Sequence, residues 1–282
     1  MSVFDERDYE FTRSDFDQIR ALIHQYAGIT LADGKQQLVY SRLSRRLRAL
    51  GLQRFSDYLA QLTPATPEWQ LFINALTTNL TAFFREPHHF PMLARHIRSI
   101  ERRPIRIWSA ASSSGEEAYS IAITMAELFG RVDAPVEILA SDVDTHVLAQ
   151  GRSGIYALER LEKMPLEQKR RFFQKGGGER TGYARVLPAL QDMVTFRQLN
   201  LLGKQWQIEH RFDAIFCRNV MIYFDKPTQR ILLERFIRTL QPDGLFFAGH
   251  SESFFHAADL IESIGRTVYK PAAATLAARS GS

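Results

Sequence analysis

The stretch RIWSAASSSGEEAYSIAI, residues 106–123, constrains the fold of this chain more than any other. Arg106, Ile107 and Trp108 read as a buried strand, Ser109 to Gly115 as a tight turn of small residues, and the remainder as a helix. Small residues let backbone amides come close to a ligand. Glu116 and Glu117 fall in the first helical turn, where the positive end of the helix dipole favours acids. Such a strand–turn–helix unit is common in α/β proteins. Alone it leaves open whether the turn binds a nucleotide-type ligand or only reverses the chain.

From Pro104 onward strand and helix alternate. A strand over 104–109 leads to a helix over 115–130, and VEILAS (136–141) leads through Asp142 to a helix near Asp144. FDAIFC (212–217), a helix over 227–240 and LFFAG (245–249) follow, with TVYKP (267–271) in an antiparallel edge pair. This alternation predicts an α/β fold with a mostly parallel, doubly wound, Rossmann-like sheet over 104–282. Residues 152–200 break the rhythm. Gly176–Gly178 and then Gly182 bracket a hairpin-like segment, and YARVL and MVTFRQL read as strands. They predict a small antiparallel β subdomain inserted at about 170–197. The tail AAATLAARSGS reads as frayed.

Residues 1–80 read as an all-helical N-terminal domain, and 81–103 as a linker. Phe16, Ile19, Ile23 and Tyr26 recur at helical spacing, with Gly28 as a stop. A second helix through KQQLVYSRLSRRLRAL carries an apolar stripe of Val39, Leu43, Leu47 and Leu50. No acid occurs between Gly34 and Ser56, so the polar face bearing Arg42, Arg45, Arg46 and Arg48 is purely basic, and Arg54 adds to it. Such a face is either solvated or a docking surface for an acidic helix or nucleic acid. A third helix begins at Thr66–Pro67, where proline suits the first turn.

Charge and cysteine usage narrow the class. The 282 residues carry a net charge of +5, compatible with an acidic partner but weak as a sign of nucleic acid. One cysteine, Cys217, excludes an internal disulfide framework and suits a reducing, cytoplasmic setting; it reads as buried packing. The opening MSVFDERDYEF lacks the basic and apolar regions of a secretory leader, and no apolar run approaches a membrane span.

Three features fall at the carboxyl ends of predicted strands, where open parallel sheets bind ligands. They are the turn at 109–117, Asp142, and CRNVMIYF (217–224) with Asn219 and Tyr223. An acid after the second strand either accepts both ribose hydroxyls of a nucleoside or caps the following helix. NAD and S-adenosylmethionine both fit that acid. Glu116–Glu117 would repel a pyrophosphate, whereas S-adenosylmethionine carries an ammonium and a sulfonium that nearby carboxylates favour. In LTTNLTAFFREPHHF (76–90), Arg85 lies beside Phe83 and Phe84 and wants a carboxylate or phosphate, or an internal bridge to Glu86 or Glu116. His88 and His89 have no acid or cysteine cluster at ligand spacing and read as cap or surface histidines, with no metal.

With these residues assembled, the chain resembles the CheR-type chemoreceptor methyltransferases of bacterial chemotaxis. The matching text is LTTNLTAFFREPHHFP, IRIWSAASSSGEEAYSIAI, ILASDVDTHVLAQGRSGIY and FDAIFCRNVMIYFDKPTQRILLERF with LQPDGLFFAGHSESF, spanning roughly Phe11 to Tyr269. The resemblance implies transfer of a methyl group from S-adenosylmethionine to chemoreceptor glutamates, giving γ-glutamyl methyl esters and S-adenosylhomocysteine. It implies cofactor contacts from Asn79, Thr81, Arg85, Glu117, Asp142, Asn200, Leu201, Arg218 and Asn219, with Arg85 and Tyr223 nearest the reacting methyl. Tyr223 also has a plain packing role open to it. The family shares the serine- and alanine-rich turn in place of the usual glycines. Some members grip a receptor C-terminal peptide on the β subdomain, and the GGGERTGYARV hairpin resembles that type.

A carboxylate nucleophile is already ionised at neutral pH, which explains why no His–Asp or Cys–His pair stands out. The basic N-terminal helix then becomes the expected dock for glutamate-rich receptor helices. Two rival readings remain: a methyltransferase on nucleic acid or a small molecule, which lacks an aromatic–basic stacking platform, and a non-catalytic receptor-binding adaptor.

Overall fold

The computed structural model describes residues 8–280. The first seven residues, read above for a leader, and the last two of the tail lie outside the described residues. The chain divides into two compact units, one ending at Thr78 and including Val143–Thr145, the other holding Asn79–Asp142 and the chain from His146 onward.

In the helical unit, α1 (Arg13–Ala27) opens on a capping box between Thr12 and Asp15 and closes on Gly28 at φ 70°. α2 (Gln36–Leu50) buries Val39, Leu43 and Leu47 completely. Leu50 departs from the expected stripe: it is the last helical residue before Gly51 and is 44% exposed. A short helix absent from the sequence reading, α3 (Phe55–Gln61), precedes α4 (Pro67–Leu76). Phe16, Ile19, Ile23, Phe55, Phe72 and Ile73 complete the core.

Two of the four arginines on α2 are consumed inside this unit. Arg46 forms a two-pronged bridge to Glu68 at 2.8 Å, and the Tyr58 hydroxyl donates to the same carboxylate at 2.9 Å. Arg42 donates to the carbonyls of Leu76 and Thr77 at 3.2 and 2.7 Å, closing the end of α4. Arg42 and Arg46 of the expected basic face are thus already engaged within the unit. Arg45 and Arg48 are exposed, and Arg48 is hydrogen-bonded to the Tyr9 side chain and lies 4.0 Å from Asp8.

In the second unit, α5 (His89–Arg98) stands where a linker was expected. Phe90, Leu93 and Ile97 bury its apolar face in the same core as Phe83 and Ile100, so 81–103 is part of the domain. β1 (Ile105–Ala110), α6 (Glu116–Phe129), β2 (Val136–Asp142) and α7 (Thr145–Ser153) follow. The inserted region holds β3 (Ile155–Ala157), α8 (Leu166–Phe172), β4 (Phe173–Lys175), β5 (Tyr183–Val186) and α9 (Pro188–Gln191). β6 (Val194–Gln198), β7 (Phe212–Cys217), α10 (Lys226–Thr239), β8 (Leu240–Ala248), β9 (Ile261–Gly265), β10 (Val268–Pro271) and α11 (Ala273–Ser280) complete the chain. The tail read as frayed is helical through Ser280.

The main sheet has the order β6-β2-β1-β7-β8-β10-β9. Its first five strands are parallel, and β10 runs antiparallel to both β8 and β9. Strand order reverses between β1 and β7, which creates a crevice at their carboxyl ends. β1 is buried on both faces: Ile105 and Ile107 join the core with α5 and α6, and Trp108 and Ala110 the core with α10. A second sheet, β3-β5-β4, is antiparallel. The inserted strands therefore span 155–186, and MVTFRQL is not among them. β6 pairs in parallel with β2, Val194 opposite Ile138 and Phe196 opposite Ala140. The alternation that marks a strand does not name its partner.

Gly115 joins the turn to α6 at φ 93°. A Cβ there would lie 2.9 Å from the Phe196 ring, 3.0 Å from the Tyr156 hydroxyl and 3.1 Å from the backbone of Gly151. Gly115→Ala is expected to lower stability by about 2 kcal/mol through backbone strain and crowding, read as a shifted urea midpoint at unchanged slope; an unchanged midpoint would refute the close packing.

Candidate active site

The turn after β1 is built from alternating left-handed residues, Ala111, Ser113 and Gly115 at φ 59°, 50° and 93°. Its amides are tied inward. Ser112 N–H donates to the Ser141 carbonyl, Ser113 N–H to Asp142 Oδ2 at 2.8 Å, and Gly115 N–H to the Ser112 carbonyl. Those three amides are engaged within the protein, which agrees with a turn that need not cradle a phosphate. The Ser113 hydroxyl donates to the Asn79 carbonyl at 3.0 Å, so Asn79, Ser113 and Asp142 converge. Leu199 N–H donates to the Asp142 carbonyl, which brings the turn at Asn200–Leu201 beside the same strand end. Asn200 Oδ1 accepts from Leu202 N–H at 2.9 Å, and the Leu201 carbonyl accepts from Trp206 and Arg235.

The adjacent acids Glu116 and Glu117 have different partners. Glu116 is fully buried, bonded to the Ser114 hydroxyl and paired with Arg160 at 3.0 Å. Arg160 also donates to the Thr81 carbonyl at 3.4 Å. Glu117 accepts from the Ser109 hydroxyl at 2.7 Å and pairs with Arg218 at 3.1 Å. Burial pushes the Glu117 carboxyl up, against Arg218 and Ser109, which favour its ionised form.

Arg218 is the hub of three loops. Its side chain is 2% exposed and lies between Glu117 and Glu86, the latter at 3.3 Å, while also donating to the Arg85 carbonyl. Glu86 Oε1 takes Asn219 Nδ2 at 3.4 Å and the His250 backbone N–H at 3.2 Å. Burial raises the Glu86 carboxyl, but Arg218 and these donors outweigh it and hold the group down at about 2. Glu252, 5% exposed, accepts the backbone N–H groups of Gly249, Val220 and Met221 at 2.5, 3.0 and 2.8 Å. It fixes the left-handed Asn219 (φ 59°) and the short turn Met221–Tyr223, which presents a half-buried Tyr223.

The sequence reading missed Glu86 and Glu252 as site residues. Glu252 carries a findable signal, an acid four residues beyond a parallel strand, as Asp142 closes β2. Arg85 bridges neither Glu86 nor Glu116 among the described residues: its guanidinium donates to the Leu80 carbonyl at 2.9 Å in an exposed bond. His89 is not a surface histidine. It is fully buried, with Nε2 on the Arg266 carbonyl and the Thr267 hydroxyl, both at 3.1 Å. Glu86, His88 and His89 bring ligand atoms within 4.8 Å of one another, yet Glu86 is engaged by Arg218 and both imidazoles by Arg266.

The carboxylates of Glu86, Glu117, Asp142 and Glu252 thus stand at the carboxyl ends of β1, β2, β7 and β8. This donor set suits a cationic ligand with vicinal hydroxyls and disfavours a pyrophosphate.

Comparison with known families gives the same placement. Residues 14–77 match the family described as CheR methyltransferase, all-alpha domain, and residues 79–270 match CheR methyltransferase, SAM binding domain. The chain is 58% identical over 272 residues to chemotaxis protein methyltransferase 2 of Pseudomonas aeruginosa, covering 96% of this chain and 97% of that protein. It is 54% identical to the chemotaxis protein methyltransferase of Salmonella typhimurium, covering 90% of this chain and 88% of that protein. With the Escherichia coli chemotaxis protein methyltransferase the identity is 53%, over 90% and 89% of the two chains. With both halves matched and relatives this similar along nearly their whole length, the chain belongs to the CheR methyltransferase family.

Proposed function

We propose that this protein transfers a methyl group from S-adenosylmethionine to glutamate side chains of bacterial chemoreceptors, forming γ-glutamyl methyl esters. The observation that carries the reading is the set of carboxylates at the β1/β7 crevice, where a dinucleotide enzyme would have glycines and open amides. Bound there, S-adenosylmethionine supplies a sulfonium-activated methyl and leaves as S-adenosylhomocysteine. Asp142 receives the ribose hydroxyls, with Asn200 and Leu201 closing the adenosine side. Asn79, Thr81, Glu117, Arg218 and Asn219 surround the methionine portion. Arg85 orients the incoming carboxylate, and Tyr223 lines the channel along which the methyl moves. No residue needs to remove a proton, because the nucleophile arrives ionised. Positioning and exclusion of water supply the rate.

Docking of the glutamate-rich receptor helix is assigned to Arg45 and Arg48, while Arg42 and Arg46 hold the helical unit together. The β subdomain is assigned to the receptor's C-terminal peptide. Its order β3-β5-β4 leaves two outer edges to which an extended peptide can add. A cytoplasmic setting belongs to the same proposal; among the described residues, no helix is long and apolar enough to cross a membrane.

Labelled methyl transfer to purified receptor membranes, with and without the receptor C-terminal peptide and with RNA as comparator, tests the reading; label on RNA alone, or on neither, would sink it. Asp142→Ala should weaken S-adenosylmethionine binding by about tenfold to a hundredfold, the loss of hydrogen bonds to a charged group, and calorimetry at wild-type affinity would remove the ribose role. Arg85→Ala should lower kcat on the order of a hundredfold with cofactor affinity changed far less, and Tyr223→Phe should also lower kcat. Unchanged kcat in both excludes them from the reaction. Arg45→Glu with Arg48→Glu should raise KM for receptor and reduce its salt dependence while leaving cofactor affinity intact.

A further inference from the structure

Three of the large apolar side chains left exposed among the described residues belong to loops that frame the crevice: Phe255 at 93%, Leu80 at 77% and Ile222 at 49%. Phe255 and Leu80 are the two most exposed of all. We propose that these three side chains form an apolar rim that packs against the receptor helix around the glutamate to be methylated and shuts water out of the crevice. This rests on the receptor helix being the substrate.

Each side chain stands on backbone whose neighbours are fixed. Phe255 follows Phe254, which is buried in one core with Met221 and Phe224. It lies three residues beyond Glu252, whose carboxylate takes the N–H groups of Val220 and Met221. Ile222 comes between the buried Met221 and Tyr223, on the turn after β7. Leu80 comes between Asn79, whose carbonyl takes the Ser113 hydroxyl, and Thr81, and its own carbonyl takes Arg85. With the backbone already tied down, docking has little left to order.

Single exposed apolar side chains are ordinary on a protein surface. These three differ in standing on loops that an acceptor has to pass. A glutamate side chain is short, so the helix presenting it must come down onto the rim. Residues three and four positions away on the same helical face arrive with it, and an amphipathic helix supplies apolar side chains at that spacing. Charge on the same loops favours an acidic partner. The His250 side chain is 70% exposed. Lys226 is exposed, and it adds to the burial that pushes the His256 imidazole down. The nearby acid Asp225 caps α10 by accepting from the Thr228 N–H. Covering the apolar side chains removes bulk water from around the attacking carboxylate, which favours the displacement.

Initial rates of methyl transfer to purified receptor membranes, taken against receptor concentration with the full-length protein, read this contact. Phe255→Ser and Leu80→Ser, on separate loops, should each raise KM for receptor by about tenfold, with wild-type S-adenosylmethionine affinity and melting midpoint. The factor should be equal at low and high salt, because apolar contact is not screened, whereas the effect of reversing Arg45 and Arg48 fades as salt rises. Phe255→Leu should recover most of the loss. Ile264→Ser removes a comparably exposed side chain (43%) from β9 and should leave KM unchanged. Wild-type KM in both serine variants, a rise that salt abolishes, or an equal rise in Ile264→Ser overturns the proposal. Self-association of the wild type in sedimentation that Phe255→Ser abolishes assigns the rim to a second copy and overturns it as well. A wild-type protein that labels no receptor refutes the substrate reading itself, and this inference with it.

Discussion

Everything at the site hangs on the burial of the Arg218 guanidinium. A charge withdrawn from water is tolerated only when it is paired and hydrogen-bonded, and Arg218 meets that demand from three directions at once. Glu117 comes from the first turn of α6, Glu86 and the Arg85 carbonyl from the loop before α5, and Arg218 itself from the end of β7. The three segments are distant in sequence, and no apolar contact would fix their spacing as tightly. The buried ion cluster specifies geometry more than it adds stability, since buried pairs commonly break even against well-packed apolar groups.

The sheet provides the frame on which that cluster is drawn. Parallel strands buried on both faces place every βα loop on one rim. The other rim is given to structure: Asp213, 2% exposed, receives Arg102 at 2.5 Å and the Arg106 N–H at 2.8 Å, and Asp243 bridges Arg102. Glu252 follows the same logic on the working rim. Three backbone donors converge on one carboxylate, so the turn bearing Tyr223 is held by the loop after β8 as well as by its own backbone bonds.

Much of this was legible in the residues. FDAIFC coincides with β7, helical spacing with a Gly28 stop located α1, and an acid after VEILAS marked Asp142. What escaped was whatever depends on a distant partner. α5 was hidden behind turn-formers and a His–His pair, although His89 is core. β6 alternates as any strand does, and only its pairing with β2 assigns it to the main sheet. Arg42, Arg45, Arg46 and Arg48 look alike along the helix; Glu68 and the end of α4 decide which of them are already engaged. Glu86 was visible only as a neighbour of Arg85, because its direction is set by a left-handed backbone that composition does not reveal.

The bond between Arg160 and Glu116 bears on how the inserted sheet can be modified. Arg160 follows β3 at the root of the insertion and neutralises a carboxylate with no exposure to water, while also touching the loop at Thr81. Removing the insertion as a cassette would strand that carboxylate and loosen the rim of the crevice. The insertion is thus an accessory whose foundation belongs to the enzyme. Its outer strands β3 and β4 take no part in that pair, but any replacement has to return a cation to the place Arg160 occupies.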